Sequence, residues 1–240
     1  MYVWLKNVFL QTLGLIKDMS VEQENNSLGE QFSKAEGFVI ENKKSLLVIG
    51  GTIIALILLY VGYQMLIVTP REKEAAGQMF MAERYFEQDS LDKAINGDGN
   101  FLGFAAIADE YGSTKAGSMA HYYLGFAYLR KGQYEQAIES LEDFSNNDEV
   151  LMALSYSGIA DAYVELNKLD DAANYYKKAV AKSKDQFSTP ILLMKLGMTY
   201  EMANEKQKAV ETYEKIKTEY AESNEAKEIE KYIARASATN

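Results

Sequence analysis

The 240 residues contain no cysteine, two prolines, one histidine and one tryptophan. Without cysteine there is no disulfide framework, thiolate metal site, cysteine nucleophile or cysteine-linked lipid. No compartment follows, because a chain without thiols suits reducing and oxidising spaces alike. A lone histidine, His121, cannot assemble the His/Cys set of a zinc site. So few prolines among abundant Ala, Leu, Glu and Lys favour helix, and the expected class is all-α. Positive charge is also short. From Arg71 onward, 20 Lys+Arg meet 29 Asp+Glu, leaving that part at −9 of a whole-chain −10. Such a surface repels phosphate backbones, and nucleic acid is not an expected partner. No G-x-S-x-G, Walker loop or H-E-x-x-H occurs. The expectation is a protein that is not an enzyme, with no cofactor, metal or small-molecule substrate. Its rival from another class is an enzyme using a carboxylate pair that no motif reveals.

The first positive feature is "SLLVIGGTIIALILLYVGYQMLIV", Ser45 to Val68, 24 residues without a charge. About 20 apolar residues cross a bilayer core, so residues 45–68 are predicted to be a single transmembrane helix. Tyr60 and Tyr63 lie in its second half, and Lys43, Lys44 and Arg71 bracket it as interfacial anchors do. Residues 1–44 precede it with a net charge of −1, unlike a cleavable signal. Gly50, Gly51 and Gly62 do not form a G-x-x-x-G dimer face. Flanking charge does not orient the span: Lys34, Lys43 and Lys44 balance Arg71, Lys73 and Arg84. Residues 1–18 leave two readings open. Trp4, Leu5, Val8, Phe9 and Leu13 could line a helix lying on the membrane; the favoured alternative is that translation begins at Met19.

Beyond the span the chain repeats itself. Gly125, Ala160 and Gly197 stand 35 and 37 residues apart, each followed three positions later by Tyr128, Tyr163 and Tyr200. Nine residues further come Ala137, Ala172 and Ala209, then Leu141, Tyr176 and Tyr213. Small residues let paired helices approach, and large ones fill the space between units. Gly132, Asn167 and Asn204 fall where the first helix must end with φ above zero. This spacing resembles the tetratricopeptide repeat, an α-solenoid of helix–turn–helix units. About four repeats are expected over residues 71–222. The first is divergent: Ala82, Tyr85 and Ala94 keep the pattern, but "INGDGNFLG" is inserted and read as a long turn. Calcium binding there is disfavoured, because Phe101 and Ile107 occupy positions that an EF-hand gives to Gly and Glu. Residues 223–240 are a capping helix and tail, with Ala226, Ile229 and Ile233 on one face. His121, four residues before Gly125, is expected to be a packed, neutral part of this scaffold.

Resemblance to the tetratricopeptide family implies a concave groove lined by each repeat's first helix. Its binding positions map here onto Ala76, Met79, Glu83, Phe86 and Glu87; Met119, Tyr122, Phe126, Leu129 and Arg130; Leu154, Ser157, Asp161, Val164 and Glu165; and Ile191, Met194, Met198, Glu201 and Met202. Five of the ten methionines fall on the mapped positions, which points to apolar segments of proteins as partners. The clamp by which some members grip a carboxylate tail keeps only Arg130. Within the family, "YFEQDSLDKAINGDGNFLGF" placed after a single anchor is similar to the bacterial ancillary subunits of the Sec translocon (YfgM-like). That resemblance implies a cytoplasmic amino end, an inner-membrane anchor and periplasmic repeats. It further implies an adaptor for periplasmic chaperones or newly translocated chains. An envelope-assembly or cell-division scaffold is the alternative.

Overall fold

A computed structural model describes Ile40 and residues 42–238, so the expectations placed on residues 1–39 lie outside the described residues. The chain divides into two compact units after Gln64. The first contributes α1, Lys43–Tyr63, which is apolar around its whole circumference and buries none of its residues. By length and composition, the helical run that opens at Lys43 could cross a membrane. Thr52 Oγ1 donates to the Val48 carbonyl at 2.8 Å, and Gln64 Nε2 donates to the Tyr60 hydroxyl at 3.2 Å. These side chains thus find partners one turn back. A π-helical turn, Gln64–Val68, follows in the chain.

The second unit is helical throughout its described residues. It runs α2 Thr69–Glu87, α3 Leu91–Asn96, α4 Phe104–Tyr111, α5 Lys115–Arg130 and α6 Tyr134–Asp143. It continues through α7 Glu149–Glu165, α8 Leu169–Lys182, α9 Ser188–Met202 and α10 Lys206–Glu219. A 3-10 turn, Glu225–Glu228, leads into α11, Ile229–Ser237. Pro70 is the second residue of α2 and follows directly on the π-helical turn. Thr114 caps α5 by accepting from Gly117 N, and Asp148 caps α7 by accepting from Val150 N and Leu151 N.

Four turns end the first helices alike. Asp89, Gly132, Asn167 and Asn204 have φ of 56°, 72°, 57° and 59°. The next residue's N–H then reaches back to a tyrosine carbonyl: Ser90 to Tyr85, Gln133 to Tyr128, Lys168 to Tyr163 and Glu205 to Tyr200, all at 2.8–2.9 Å. This Schellman closure satisfies a carbonyl the helix would otherwise orphan, and Gly, Asn and Asp tolerate its left-handed residue best. The first repeat therefore has the same turn as the others, with Asp89 in place of Gly or Asn.

The paired helices meet where the spacing places small residues against large ones. A Cβ on Gly125 would lie 2.4 Å from Leu141 Cγ, and one on Gly197 would lie 2.3 Å from Tyr213 Cε1. Buried Ala160 holds the corresponding place in the third repeat. Three apolar clusters run in succession. The first joins Met79 and Ala82 to Phe104 and Ile107, the next centres on Leu141 and Ile159, and the last holds Tyr213, Ile216 and Ile229. Such clusters along the chain are how a solenoid shares its core between neighbours.

The first repeat departs in its second helix, which is broken into α3 and α4. Gly97 and Gly99 take φ of 81° and 91°. Asp98 accepts from Asn100 N and Phe101 N, each at 2.9 Å, and from the Tyr85 hydroxyl at 2.7 Å. At the far end, α11 buries Ile229 and half-buries Ile233. The Arg235 guanidinium pairs with the Glu201 carboxylate and lies 4.7 Å from the centre of the Tyr232 ring. Lys217 and Glu230 add an ion pair at 2.7 Å. The last apolar edge is thereby covered, as a repeat array needs.

Candidate partner-binding groove

Helices α2, α5, α7 and α9 are the first members of the four repeats, and they carry the mapped groove residues. At the amino-terminal end, Phe86 sits edge-on to Phe104 and Tyr123, and Arg130 lies 4.1 Å over its ring. Arg130 also approaches Asp89 at 4.0 Å, so the one cation among the mapped positions is engaged within the fold. Tyr122 packs on Phe126 and Phe144 with ring centres 4.8 and 5.1 Å apart. Met119 is half-buried against the first core. Met79 is only 5% exposed and belongs to that core outright, so it offers no surface to a partner. In this divergent repeat, position 79 packs with Phe104 and Ile107.

Midway, Leu129, Tyr134, Asp161, Val164, Glu165 and Tyr176 line a cleft of about 330 Å³. Both Asp161 oxygens accept from Lys195 Nζ at 2.8 Å, and Asp161 also accepts from the Tyr176 hydroxyl. Burial, then the Asp161 charge, pushes the Tyr176 phenol well above its ordinary range. Tyr134 donates to Glu165 at 3.2 Å.

At the carboxy-terminal end the surface turns apolar. Among the described residues eight large apolar side chains stay exposed beyond residue 70, and six of them lie on or just before α7 and α9. Ile191, Met198 and Met202 form a stripe along α9, with Met194 half-buried beside them. Val150 and Leu154 lie on α7. Phe187, 76% exposed, precedes α9. It lies outside the mapped positions, although its place four residues before Ile191 is the helical signal that could have found it.

Acidic side chains in the groove fall into two groups. Asp161 is paired with Lys195 and Glu201 with Arg235. Glu83, Glu87 and Glu165 have no ion-pair partner among the described residues. Burial first, and then the Glu87 charge one turn away, raises the Glu83 carboxyl above its ordinary value.

His121 is half-buried and lines a separate cleft of about 250 Å³ with Asp109, Glu139 and Asp143. Among the described residues no group of three or more His, Asp or Glu side chains is placed to hold a metal.

Residues 119–148 and 158–224 match models of the tetratricopeptide repeat. The chain is similar to tetratricopeptide repeat protein 29 of Homo sapiens, 29% identical over 105 residues, or 42% of this chain and 22% of that one. It is also similar to the protein ycf37 of Guillardia theta, 29% identical over 119 residues, 48% of this chain and 65% of that one. The matches thus span less than two thirds of either relative. Among solved structures, the nearly identical TPR-like repeats named for kinesin light chain, from Podosopora anserina, superpose with a TM-score of 0.53. Identity there is 20%, over 69% of this chain and 86% of that one; a second crystal structure of those repeats gives the same score and identity. That likeness concerns the fold. Residues 119–148 and 158–224 therefore carry the tetratricopeptide pattern, and the second unit has an all-helical fold like that of such repeats.

Proposed function

We propose that this protein is a membrane-anchored, non-catalytic adaptor whose groove holds apolar segments of partner proteins. One observation carries the reading: of the eight large apolar side chains exposed beyond residue 70 among the described residues, six lie on or just before the first helices of the third and fourth repeats. Monomeric proteins rarely expose such patches without a use for them. The anchor is residues 45–68. A helix that is apolar on every side, with the Thr52 and Gln64 side chains bonded one turn back, suits a bilayer, where each unpaired polar group is costly. The resemblance to translocon-associated anchored repeat proteins supports an inner-membrane, single-pass arrangement with periplasmic repeats. Its partners would be periplasmic chaperones or newly translocated chains beside the Sec translocon.

The test is cross-linking in intact cells with a carboxy-terminal tag, followed by mild-detergent purification and mass spectrometry. Translocon subunits and periplasmic chaperones are expected in the eluate. Wall-synthesis or division enzymes in their place would overturn the assigned pathway. Met194→Glu with Met198→Glu should abolish capture while leaving helical content unchanged; capture that survives both would overturn the groove itself.

A further inference from the structure

We infer that the occupant of this groove is a cationic amphipathic segment of a partner protein, its apolar side chains on α9 and its lysines or arginines against Glu83, Glu87 and Glu165. The inference rests on the groove reading above and gives the partner a chemistry and a direction. Next to the apolar stripe, the fold neutralises its own acids: Asp161 has Lys195 at 2.8 Å, and Glu201 has Arg235. On α2, and at the carboxy-terminal end of α7, it does not. Glu83 and Glu87 stand one turn apart on α2 with no cation in reach among the described residues, and Glu165 has only the Tyr134 hydroxyl. Like charges at this spacing repel, and Glu83 is partly withdrawn from water as well. A bound ammonium or guanidinium would relieve that repulsion and supply the missing partner.

Complementarity excludes the opposite choices. An acidic segment would meet the unpaired carboxylates, and the −9 balance beyond residue 70 disfavours an anionic lipid surface. Size agrees with a helix. Four first helices side by side at 8–10 Å spacing cover roughly 25–30 Å, the length of about 20 helical residues.

The test uses the full chain in zwitterionic nanodiscs and two fluorescein-labelled 20-residue helical peptides. Both carry a leucine face; one has lysines at one end, the other glutamates at the same positions. The lysine peptide should bind about tenfold more tightly in low salt, with the gap closing as salt rises. Combining Glu83→Gln, Glu87→Gln and Glu165→Gln should bring the lysine peptide down to the glutamate peptide's affinity. Met198→Glu with Met202→Glu should remove both, with unchanged circular dichroism. Equal binding of the two peptides, unaltered by the triple change, would overturn the cationic occupant and leave the apolar groove standing. Binding of neither would overturn the groove reading, and this inference with it. Uptake by anionic vesicles in preference to either peptide would show a lipid surface instead, and would also overturn it.

Discussion

In the first repeat, α2 closes at Asp89 with φ of 56°; in the last, α9 closes at Asn204 with φ of 59°. In both, the N–H of the following residue bonds back to the tyrosine carbonyl of the last helical turn at 2.8 Å. Beyond this turn the two repeats diverge. The last continues into one unbroken second helix, whose Tyr213 fills the space left by Gly197. The first breaks its second helix at Gly97 and rebuilds the contact with Phe104 and Ile107 from α4. A local closure can thus be identical where the packing it serves differs. The groove inherits the difference: the unpaired Glu83 and Glu87 at one end, exposed Met198 and Met202 at the other.

That comparison can be broken most severely at Gly197. Gly197→Val should destabilise the array by about 3 kcal/mol, because the added atoms collide with a fully buried ring that cannot swing away. Denaturant unfolding checks it, and a loss under about 1 kcal/mol would mean the helices separate easily. Gly97→Ala in the first repeat should cost about 2 kcal/mol, since φ is 81° and a Cβ would sit 2.3 Å from the Phe101 carbonyl oxygen. Hydrogen exchange should show the damage in α3 and α4, with α9 and α10 unchanged.

Asp185 sharpens the comparison at the start of α9. Its carboxylate accepts from the Ser188 hydroxyl, Ser188 N at 2.6 Å and Phe187 N at 2.8 Å, and these bonds hold it far below the ordinary carboxylate range. A folded value below the unfolded one means the contribution is present above the ordinary value of 3.8 and is lost progressively as pH falls from there toward the lower folded value. Asp185→Asn should therefore lower stability by about 1 kcal/mol at neutral pH and by less in acid; Tm measured from pH 3 to 7 checks it. Glu83→Gln should have the smallest effect and the opposite sign. The Glu83 carboxyl is raised in the fold, so its ionisation costs stability as pH climbs above the ordinary value of 4.5. The substitution should raise stability at pH 7 by less than about 0.5 kcal/mol and do nothing near pH 3. A loss at pH 7 would show that Glu83 has a cationic partner within the fold.

Much of the array is legible in the sequence because the relevant physics is local. Gly132, Asn167 and Asn204 mark turns because few residues accept a left-handed backbone, and Gly125 with Leu141 fixes a helix pair because their spacing is set by helical pitch. Asp89 does not stand out as their counterpart, since aspartate in a polar stretch has many other uses. Met79 maps to the groove only if the first repeat is regular, and it packs instead into the core shared with Phe104 and Ile107. Phe187 escapes the mapping because it lies just outside the helix that carries its stripe.

By itself, then, the sequence determined the helical class, the turn positions, the small-to-large pairing and an apolar segment long enough to span a bilayer. Each depends on residues within about one repeat of each other. Only the tertiary structure decided which groove acids are neutralised. Asp161 meets Lys195 and Glu201 meets Arg235 across 34 residues. Glu83 and Glu87 meet no cation among the described residues, because ion pairing depends on which side chains the stacked repeats bring within about 4 Å.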